Sequence, residues 1–185
     1  MRLTDKVHLI VSEYLQPGDL AVDATAGNGH DSLFLAEQVG KQGKVFAFDI
    51  QEQALNRTAT HLREAGQEQQ LYLIHRGHEH LRESLPRESI GQIKAILFNL
   101  GYLPHSDKTT ITRQEHTLPA LKQAREVLAS DGIISVLAYR GHPGGQEEAL
   151  AVRQCMTELA GDDLQLSILE SPGPVLLLLA QHKHV

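Results

Sequence analysis

With 185 residues, of which 41 % are hydrophobic and 22 % charged, the chain has the size and composition of one globular domain with a substantial core. Its 17 basic and 23 acidic residues give a formal charge of −6, which excludes a broad basic surface for indiscriminate nucleic-acid binding. No membrane-length apolar run or signal pattern is present, and a single cysteine excludes an internal disulfide. We therefore expect one domain over residues 1–185, in the cytoplasm and away from membranes.

The first half of the chain predicts three strand–helix units. A first helix, capped by Thr4, carries apolar residues at helical spacing as far as Leu15. Strands follow over residues 20–24, 44–48 and 71–75, with helices over 31–39 and 51–65 between them. Gly66 is expected to cap the second of these helices, and Pro86 to end a short helix after the third strand.

The second half predicts two further units and a hairpin. A buried strand over 93–98 leads into a polar loop over 99–108 and then a helix that ends at residue 129. Thr112 and Glu115 have capping-box spacing, while Pro119 places the regular part of this helix near Thr117. The rest is predicted as a turn over 130–132, a strand over 133–138, a loop over 139–145, a helix over 146–159, and strands over 164–169 and 175–181.

This order of elements predicts an α/β fold of Rossmann-like type, with a seven-stranded, mostly parallel sheet. The link at residues 171–174 is too short for a parallel crossover, so the last two strands must form an antiparallel hairpin. A dinucleotide-binding Rossmann domain would usually continue with another parallel unit. Ligands of open α/β sheets bind beyond the carboxyl ends of the strands, and the glycine-rich and polar loops of this chain all follow strand ends.

Residues 22–31 (VDATAGNGHD) are predicted to form a strand end, a glycine turn and a helix start. Gly27 and Gly29 can take positive φ values and let backbone N–H groups approach a ligand closely. A dinucleotide fingerprint needs Gly or Ala where this chain has Ser32. Asp23 lies four positions before the first glycine, and this pattern is similar to motif I of S-adenosylmethionine-dependent methyltransferases. An ordinary βα turn is the alternative interpretation.

The strand ends predict how S-adenosylmethionine would be held. Asp49 follows the second strand about 20 residues beyond the glycine turn, where a carboxylate can accept both ribose hydroxyls. The glycines would place the methionine part against the backbone, with Asp23 near its ammonium group. A solvated aspartate at position 49 and a turn-forming Asn28 are the alternatives. The predicted cofactor residues are Asp23, Thr25, Gly27, Asn28, Gly29, Asp31, Asp49, Gln51, Asn99 and, where adenine would be held, His78 and Glu79.

Several histidines near the third strand raise the question of a metal site. His75, His78, Glu79 and His80 are close in sequence. Neighbouring residues at a strand end point to opposite sides, and no cysteine or second acidic cluster completes a tetrahedral set. We therefore predict no metal site.

Residues 99–102 (NLGY) are predicted to hold the methyl acceptor. They resemble the Asn/Asp-Pro-Pro-Tyr loop of amino-methylating enzymes, although Leu-Gly replaces Pro-Pro. The Asn99 carbonyl and a neighbouring backbone carbonyl can accept hydrogen bonds from an amine and point its lone pair at the methyl group. Tyr102 could stack on a base or pack beneath its own loop.

Three segments together resemble a small bacterial family of rRNA methylases, which are class I S-adenosylmethionine-dependent methyltransferases. The segments are residues 23–31 (DATAGNGHD), residues 99–104 (NLGYLP) with Asp107 and Lys108, and residues 139–145 (YRGHPGG). The resemblance covers essentially the whole chain, in the right order. It implies a tRNA N-methyltransferase that acts on the aminomethyl group of 5-aminomethyl-2-thiouridine at the wobble position.

An alkylamine acceptor would need to lose a proton, because its pKa is about 10, like that of lysine. Asp107, Tyr139 and His142 are candidate proton acceptors. His142 is the first choice because neutral imidazole can act as a base near pH 7, and a loop-ordering hydrogen bond is its alternative role. Positioning would supply most of the catalysis. The predicted catalytic set is Asn99, Tyr102, Asp107, Tyr139 and His142.

Other functions stay open at this point. The acceptor could be rRNA or a small amine, and the chain could be a non-catalytic RNA-binding module with a retained nucleoside pocket. Asp49 and Asn99 argue against the non-catalytic module, and Ser32 with the terminal hairpin argues against an NAD-dependent oxidoreductase. A homodimer would double any local basic patch, and the sequence does not decide whether the protein is a monomer or a homodimer.

Overall fold

A computed structural model of the chain describes residues 2–101 and 112–181. Within these residues the chain forms helices and strands in close alternation. They are α1 (Leu3–Ser12), β1 (Leu20–Asp23), α2 (His30–Val39), β2 (Lys44–Phe48), α3 (Glu52–Glu64), β3 (Leu71–Ile74), α4 (Leu81–Ser84), β4 (Ile93–Leu100), α5 (Gln114–Val127), β5 (Leu128–Ala138), α6 (Gly145–Ala160), β6 (Gln165–Leu169) and β7 (Val175–Ala180). Short 3-10 turns cover Glu68–Gln70, His78–His80 and Arg87–Ser89.

The strands form one seven-stranded sheet with the order β3-β2-β1-β4-β5-β7-β6. The first five strands are mutually parallel, whereas β7 pairs antiparallel with both β5 and β6. This confirms the predicted α/β fold, the mostly parallel sheet and the C-terminal antiparallel hairpin. The carboxyl ends of β1 to β5 therefore lie along one edge of the sheet, where ligands of such folds bind.

Helices cover both faces of the sheet and bury an apolar layer on each. Successive strand residues point to opposite faces, so Val22 packs in the layer under α5 and α6 with Leu121 and Val152. Its neighbour Ala21 packs in the layer under α1 and α2, with Leu35. Burial on both faces explains why the central strands are continuous apolar runs rather than alternating ones.

The structure corrects the predicted limits of the first helix. α1 starts after Arg2, whose backbone N–H donates to Asp5 Oδ2 at 3.1 Å. Thr4 therefore lies inside the first turn and is not the cap, because an acidic residue three positions after Arg2 already satisfies the capping position. The helix ends at Ser12, and Leu15 is buried beyond it.

The predicted capping box of α5 is also wrong. The cap position is Arg113, and the Thr112 hydroxyl instead donates to Glu148 Oε2 at 2.9 Å. The Thr117 hydroxyl donates to Glu148 Oε1 at 2.7 Å, so the buried Glu148 carboxylate of α6 accepts a hydrogen bond from each of the two threonines. The helix runs through Pro119 rather than starting near Thr117. Tertiary contacts between α5 and α6 therefore decide this helix start.

Two strands are longer than predicted. β4 continues to Leu100 because Asn99 and Leu100 pair with Leu137 and Ala138 of β5, so Asn99 lies on a strand and not in a loop. The predicted turn over 130–132 lies within β5, at a break in register where four residues of β5 (129–132) lie opposite one residue of β4, Lys94. In the described parts of the chain, no helix is long and apolar enough to cross a membrane.

Candidate active site

The glycine turn between β1 and α2 has the conformation that its sequence predicts. Gly27 has φ 56° and Gly29 has φ 82°, both in the left-handed region that favours glycine. A Cβ atom on Gly29 would lie 2.8 Å from Thr58 Cα, so the missing side chain also lets α3 pack against the turn. The Thr58 hydroxyl donates to the Gly27 carbonyl at 3.3 Å, which fixes the turn from the α3 side.

Asp49 joins the glycine turn to the start of α3. Its Oδ2 accepts the Gly27 N–H at 3.0 Å, and its Oδ1 accepts the Gln51 N–H at 2.8 Å. The side chain is partly exposed, and each carboxylate oxygen can accept more than one hydrogen bond. Asp49 is therefore fixed in orientation and keeps acceptor capacity for two neighbouring hydroxyl groups. Next to Asp49, Ile50 exposes 59 % of its surface and adds an apolar face at the same edge of the sheet. This residue was not among those predicted from the sequence.

Asp23 lies beneath the turn rather than at its surface. It is fully buried, accepts the Thr25 N–H at 3.1 Å and accepts the Ser32 hydroxyl at 2.6 Å. Burial first, and then the negative charge of Asp31, raise the pKa of Asp23 to about 7. The side chain stabilises the turn from inside through these two hydrogen bonds. The predicted role of Asp23 near the ammonium group of the cofactor would act through charge rather than direct contact, and it stays a prediction.

We expect Asp23→Asn to flatten the pH dependence of stability. The folded-state pKa of about 7 exceeds the unfolded value of 3.8, so the native protein binds the extra proton between these pH values. The free energy of unfolding of the wild type therefore falls as pH rises from about 4 to about 7, by up to about 4 kcal/mol from this group. Urea unfolding of both proteins across this range measures the difference.

The control is Asp162→Asn, which changes an exposed carboxyl group just after α6 and should keep the wild-type pH dependence. Parallel stability curves for the wild type and Asp23→Asn would contradict a proton held at Asp23.

Asn99 lies at the end of β4 and is oriented through both its backbone and its side chain. Its backbone N–H donates to Thr25 Oγ1 at 2.8 Å, because β1 has already ended at Asp23. Its side-chain nitrogen donates to Asp31 Oδ2. An amide whose NH2 group is bound in this way turns its carbonyl oxygen to the other side. The structure thus brings Thr25, Asp31 and Asn99 together, although they lie on different elements.

His8 is a fourth member of this group that the sequence analysis missed. Its Nε2 lies 2.6 Å from Asp31 Oδ1, the carboxylate oxygen that Asn99 does not use. No motif spacing links a residue of the first helix to Asp31, which is 23 positions away. Only the packing of α1 against the sheet reveals the contact.

The loop over residues 139–145 begins beside the same strand end. The Tyr139 N–H donates to the Leu100 carbonyl at 2.9 Å. Partial burial, and then the charge of Asp31, raise the pKa of the Tyr139 phenol above its usual value of 10. Tyr139 is therefore protonated at neutral pH, which favours a role as a hydrogen-bond donor over a role as proton acceptor.

His142 lies further along this loop. Its Nδ1 is 3.1 Å from the Pro143 carbonyl oxygen, which is a loop-ordering contact. Arg140 fastens the loop to the β6–β7 turn, since it donates to the Gly173 carbonyl at 2.9 Å and to Glu170 Oε2 at 3.1 Å. The role of His142 as a base stays a prediction, and the predicted Tyr102 and Asp107 lie outside the described residues.

The loop after β3 is joined to the end of β1. His78 is buried, with Nδ1 3.2 Å from the Ala24 carbonyl oxygen and its ring against Phe98. Burial lowers the pKa of His78, so its imidazole is neutral. Glu79 Oε1 lies 3.2 Å from His116 Nδ1. Adenine contacts of both residues stay predictions. Over residues 2–101 and 112–181, no three His, Cys, Asp or Glu side chains are grouped to hold a metal ion.

Residues 45–172 match the model of a family described as "Putative rRNA methylase". The chain belongs to this family. It is 33 % identical, over 99 % of its length and 70 % of the relative's, to the tRNA (mnm(5)s(2)U34)-methyltransferase, chloroplastic, of Arabidopsis thaliana. Two crystal structures are similar to it. One is a "putative rRNA-methylase" from Clostridium thermocellum, with a TM-score of 0.91, 33 % identity and 97 % of each chain covered. The other is SMU.1697c from Streptococcus mutans in complex with SAH, with a TM-score of 0.86, 31 % identity, and 98 % of this chain and 99 % of that chain covered.

These findings establish that this family member is an S-adenosylmethionine-dependent RNA methyltransferase. The residues at the sheet edge fit that cofactor. Asp49 offers oriented carboxylate oxygens suited to a ribose, and Ile50 offers an exposed apolar face suited to a flat base. The carboxylates of Asp31 and Asp49, whose negative charge helps to raise the pKa of Asp23, lie near the turn, which suits a cationic ligand.

Proposed function

We propose that the protein transfers a methyl group to the aminomethyl nitrogen of 5-aminomethyl-2-thiouridine at the wobble position of tRNA. The observation that carries this proposal is the Asn99 amide, which Asp31 orients at the end of β4. A carbonyl oxygen in this position can accept a hydrogen bond from the N–H group of an amine, whereas a carbon acceptor has no N–H or O–H group to donate. The 33 % identical relative from Arabidopsis thaliana, a tRNA (mnm(5)s(2)U34)-methyltransferase, supports the same substrate.

The chemistry at the site begins with an ammonium group, because an alkylamine has a pKa of about 10. The cofactor, when bound, supplies a methyl group on a positively charged sulfur. Asp31 and Asn99 form the part of the site that attracts the ammonium group and accepts its N–H bonds. His142 or solvent takes one proton from the ammonium group, and Asn99 then directs the nitrogen lone pair of the neutral amine toward the methyl carbon. A C–N bond would form as the C–S bond breaks, and the electron pair of that bond would neutralise the positive sulfur. Correct placement of the nitrogen supplies most of the rate enhancement.

Exposed cations at the same edge of the sheet support a nucleic-acid substrate despite the net charge of −6. Arg2 precedes α1, and its charge acts on the Tyr139 phenol at the site. Arg113 precedes α5, next to Thr112, whose N–H donates to the Gly101 carbonyl just after β4. The guanidinium groups of Arg2 and Arg113 pair with Asp5 and Glu115 at the exposed surface. Exposed ion pairs are weak, so phosphates of a bound RNA can replace these carboxylates without making the whole surface basic.

The test is nucleoside mass spectrometry of tRNA that lacks this wobble methyl group, after incubation with the purified protein and S-adenosylmethionine. We expect conversion of 5-aminomethyl-2-thiouridine to its 5-methylaminomethyl form. Bulk rRNA and a small alkylamine are the parallel samples. A methyl mark that appears only in rRNA, or only on the small amine, would overturn the substrate and leave the family membership intact.

A further inference from the structure

His8 connects the first helix to the centre of the proposed acceptor site. Its Nε2 lies 2.6 Å from Asp31 Oδ1, and the second oxygen of Asp31 accepts the side-chain N–H of Asn99. The three side chains come from α1, α2 and β4 and form one continuous set of hydrogen bonds. Because an ionised carboxylate only accepts, the protonated Nε2 of His8 must be the donor to Asp31.

Packing holds this set in place. The His8 ring stacks on Phe34, with ring centroids 4.0 Å apart and planes 3° apart. The side chains of His8 and Asp31 are 30 % and 13 % exposed, so both are largely enclosed but reachable from the sheet edge. Behind them, a cavity of about 10 Å³ is lined by Asp31 and Asn99 and by Thr4 of α1. It is about the size of one water molecule, so it leaves little room for another carboxylate rotamer on that side, and Asp31 can reorient only toward the solvent-exposed sheet edge.

We propose that His8 is a positioning residue for methyl transfer, which fixes Asp31 and through it the Asn99 amide. This inference rests on the proposed function, since it assumes that the Asn99 carbonyl receives the amine. Without the His8 hydrogen bond, Asp31 can turn toward solvent. The Asn99 amide then loses the contact that keeps its NH2 group on the Asp31 side and its carbonyl oxygen on the acceptor side. A flipped amide presents N–H groups to an amine that needs acceptors, so correctly placed complexes become rarer.

Two variants separate the hydrogen bond from the packing. His8→Phe keeps a ring that can stack on Phe34 but has no N–H group. His8→Gln removes the ring but places an amide N–H near the position of Nε2. We expect His8→Phe to lower kcat on the tRNA substrate by about 10- to 100-fold, with KM for S-adenosylmethionine nearly unchanged. His8→Gln should recover most of the wild-type kcat. A purely structural role predicts the opposite order, because phenylalanine preserves the packing better than glutamine does.

A double mutant adds a readout that overall stability would not change. If His8 acts through Asn99, adding His8→Phe to Asn99→Ala should cause no further loss of kcat. The inference is overturned if His8→Phe turns over like the wild type, if His8→Gln is as impaired as His8→Phe, or if the double mutant shows the product of both losses. A wild-type protein that leaves the wobble nucleoside unmethylated would instead overturn the proposed function, and this inference with it.

Discussion

Replacement of Asp49 by alanine is expected to weaken S-adenosylmethionine binding by about 100-fold or more. The carboxylate is held between the glycine turn and α3 by the N–H groups of Gly27 and Gln51. A hydrogen bond to a charged acceptor contributes about 1.5–3 kcal/mol, so the loss of two ribose hydroxyl contacts costs about 3–6 kcal/mol. Isothermal titration calorimetry of the wild type and the variant measures the change in Kd.

Two further variants make this test specific to the carboxylate. Asp49→Asn keeps the shape and one acceptor oxygen, and we expect an intermediate Kd. Asp131→Ala removes an exposed carboxylate that pairs with Lys94 at the start of the β4–β5 pairing, away from the strand ends, and should bind like the wild type. Thermal unfolding shows whether Asp49→Ala is still folded, since Asp49 also fastens the glycine turn. Wild-type affinity in a folded Asp49→Ala would mean that the ribose lies elsewhere.

The order of strands and helices could be predicted because each relevant signal is local. Apolar runs, glycine turns and the short link at 171–174 lie within a few residues of the structure that they determine. The errors come from contacts between distant residues. Thr112 has the sequence spacing of a helix cap, but the buried Glu148 of α6 takes its hydroxyl. Likewise β4 extends through Asn99 because this residue pairs with Leu137 of β5, and no local sequence pattern predicts that pairing.

The site shows the same division. The positive φ values of Gly27 and Gly29 and the place of Asp49 beside their turn could be predicted, since all three residues follow strand ends and only glycine favours that backbone conformation. The partners of Asn99 could not be predicted, because Thr25 and Asp31 lie 74 and 68 positions away. His8 carries no motif at all, and the exposure of Ile50 depends on how the chain turns after β2. The local sequence therefore predicts the geometry of the glycine turn more completely than the contacts around Asn99, and the cofactor and acceptor roles of these residues stay predictions.

Replacement of Asn99 by alanine is expected to lower kcat by about 100-fold and to change the Kd for S-adenosylmethionine by only a few fold. The backbone N–H of residue 99 can still bind Thr25 in the variant, so the strand end is preserved. The oriented side-chain carbonyl is lost, and with it the group that places the amine. Single-turnover methylation of tRNA at saturating cofactor measures the chemical step, and calorimetry measures cofactor binding.

Gln165→Ala is the matched control, because it removes an exposed amide from β6 at the far edge of the sheet. It should behave like the wild type in both assays. Asn99→Asp keeps an oxygen but places a second carboxylate against Asp31, so like-charge repulsion should also impair turnover. If Asn99→Ala instead weakens cofactor binding as much as it slows turnover, Asn99 belongs to the cofactor pocket, and the amine must be held by other groups at this edge. Equal rates for Asn99→Ala and the wild type would remove the observation on which the proposed amine acceptor depends, because no oriented carbonyl would then be needed for the reaction.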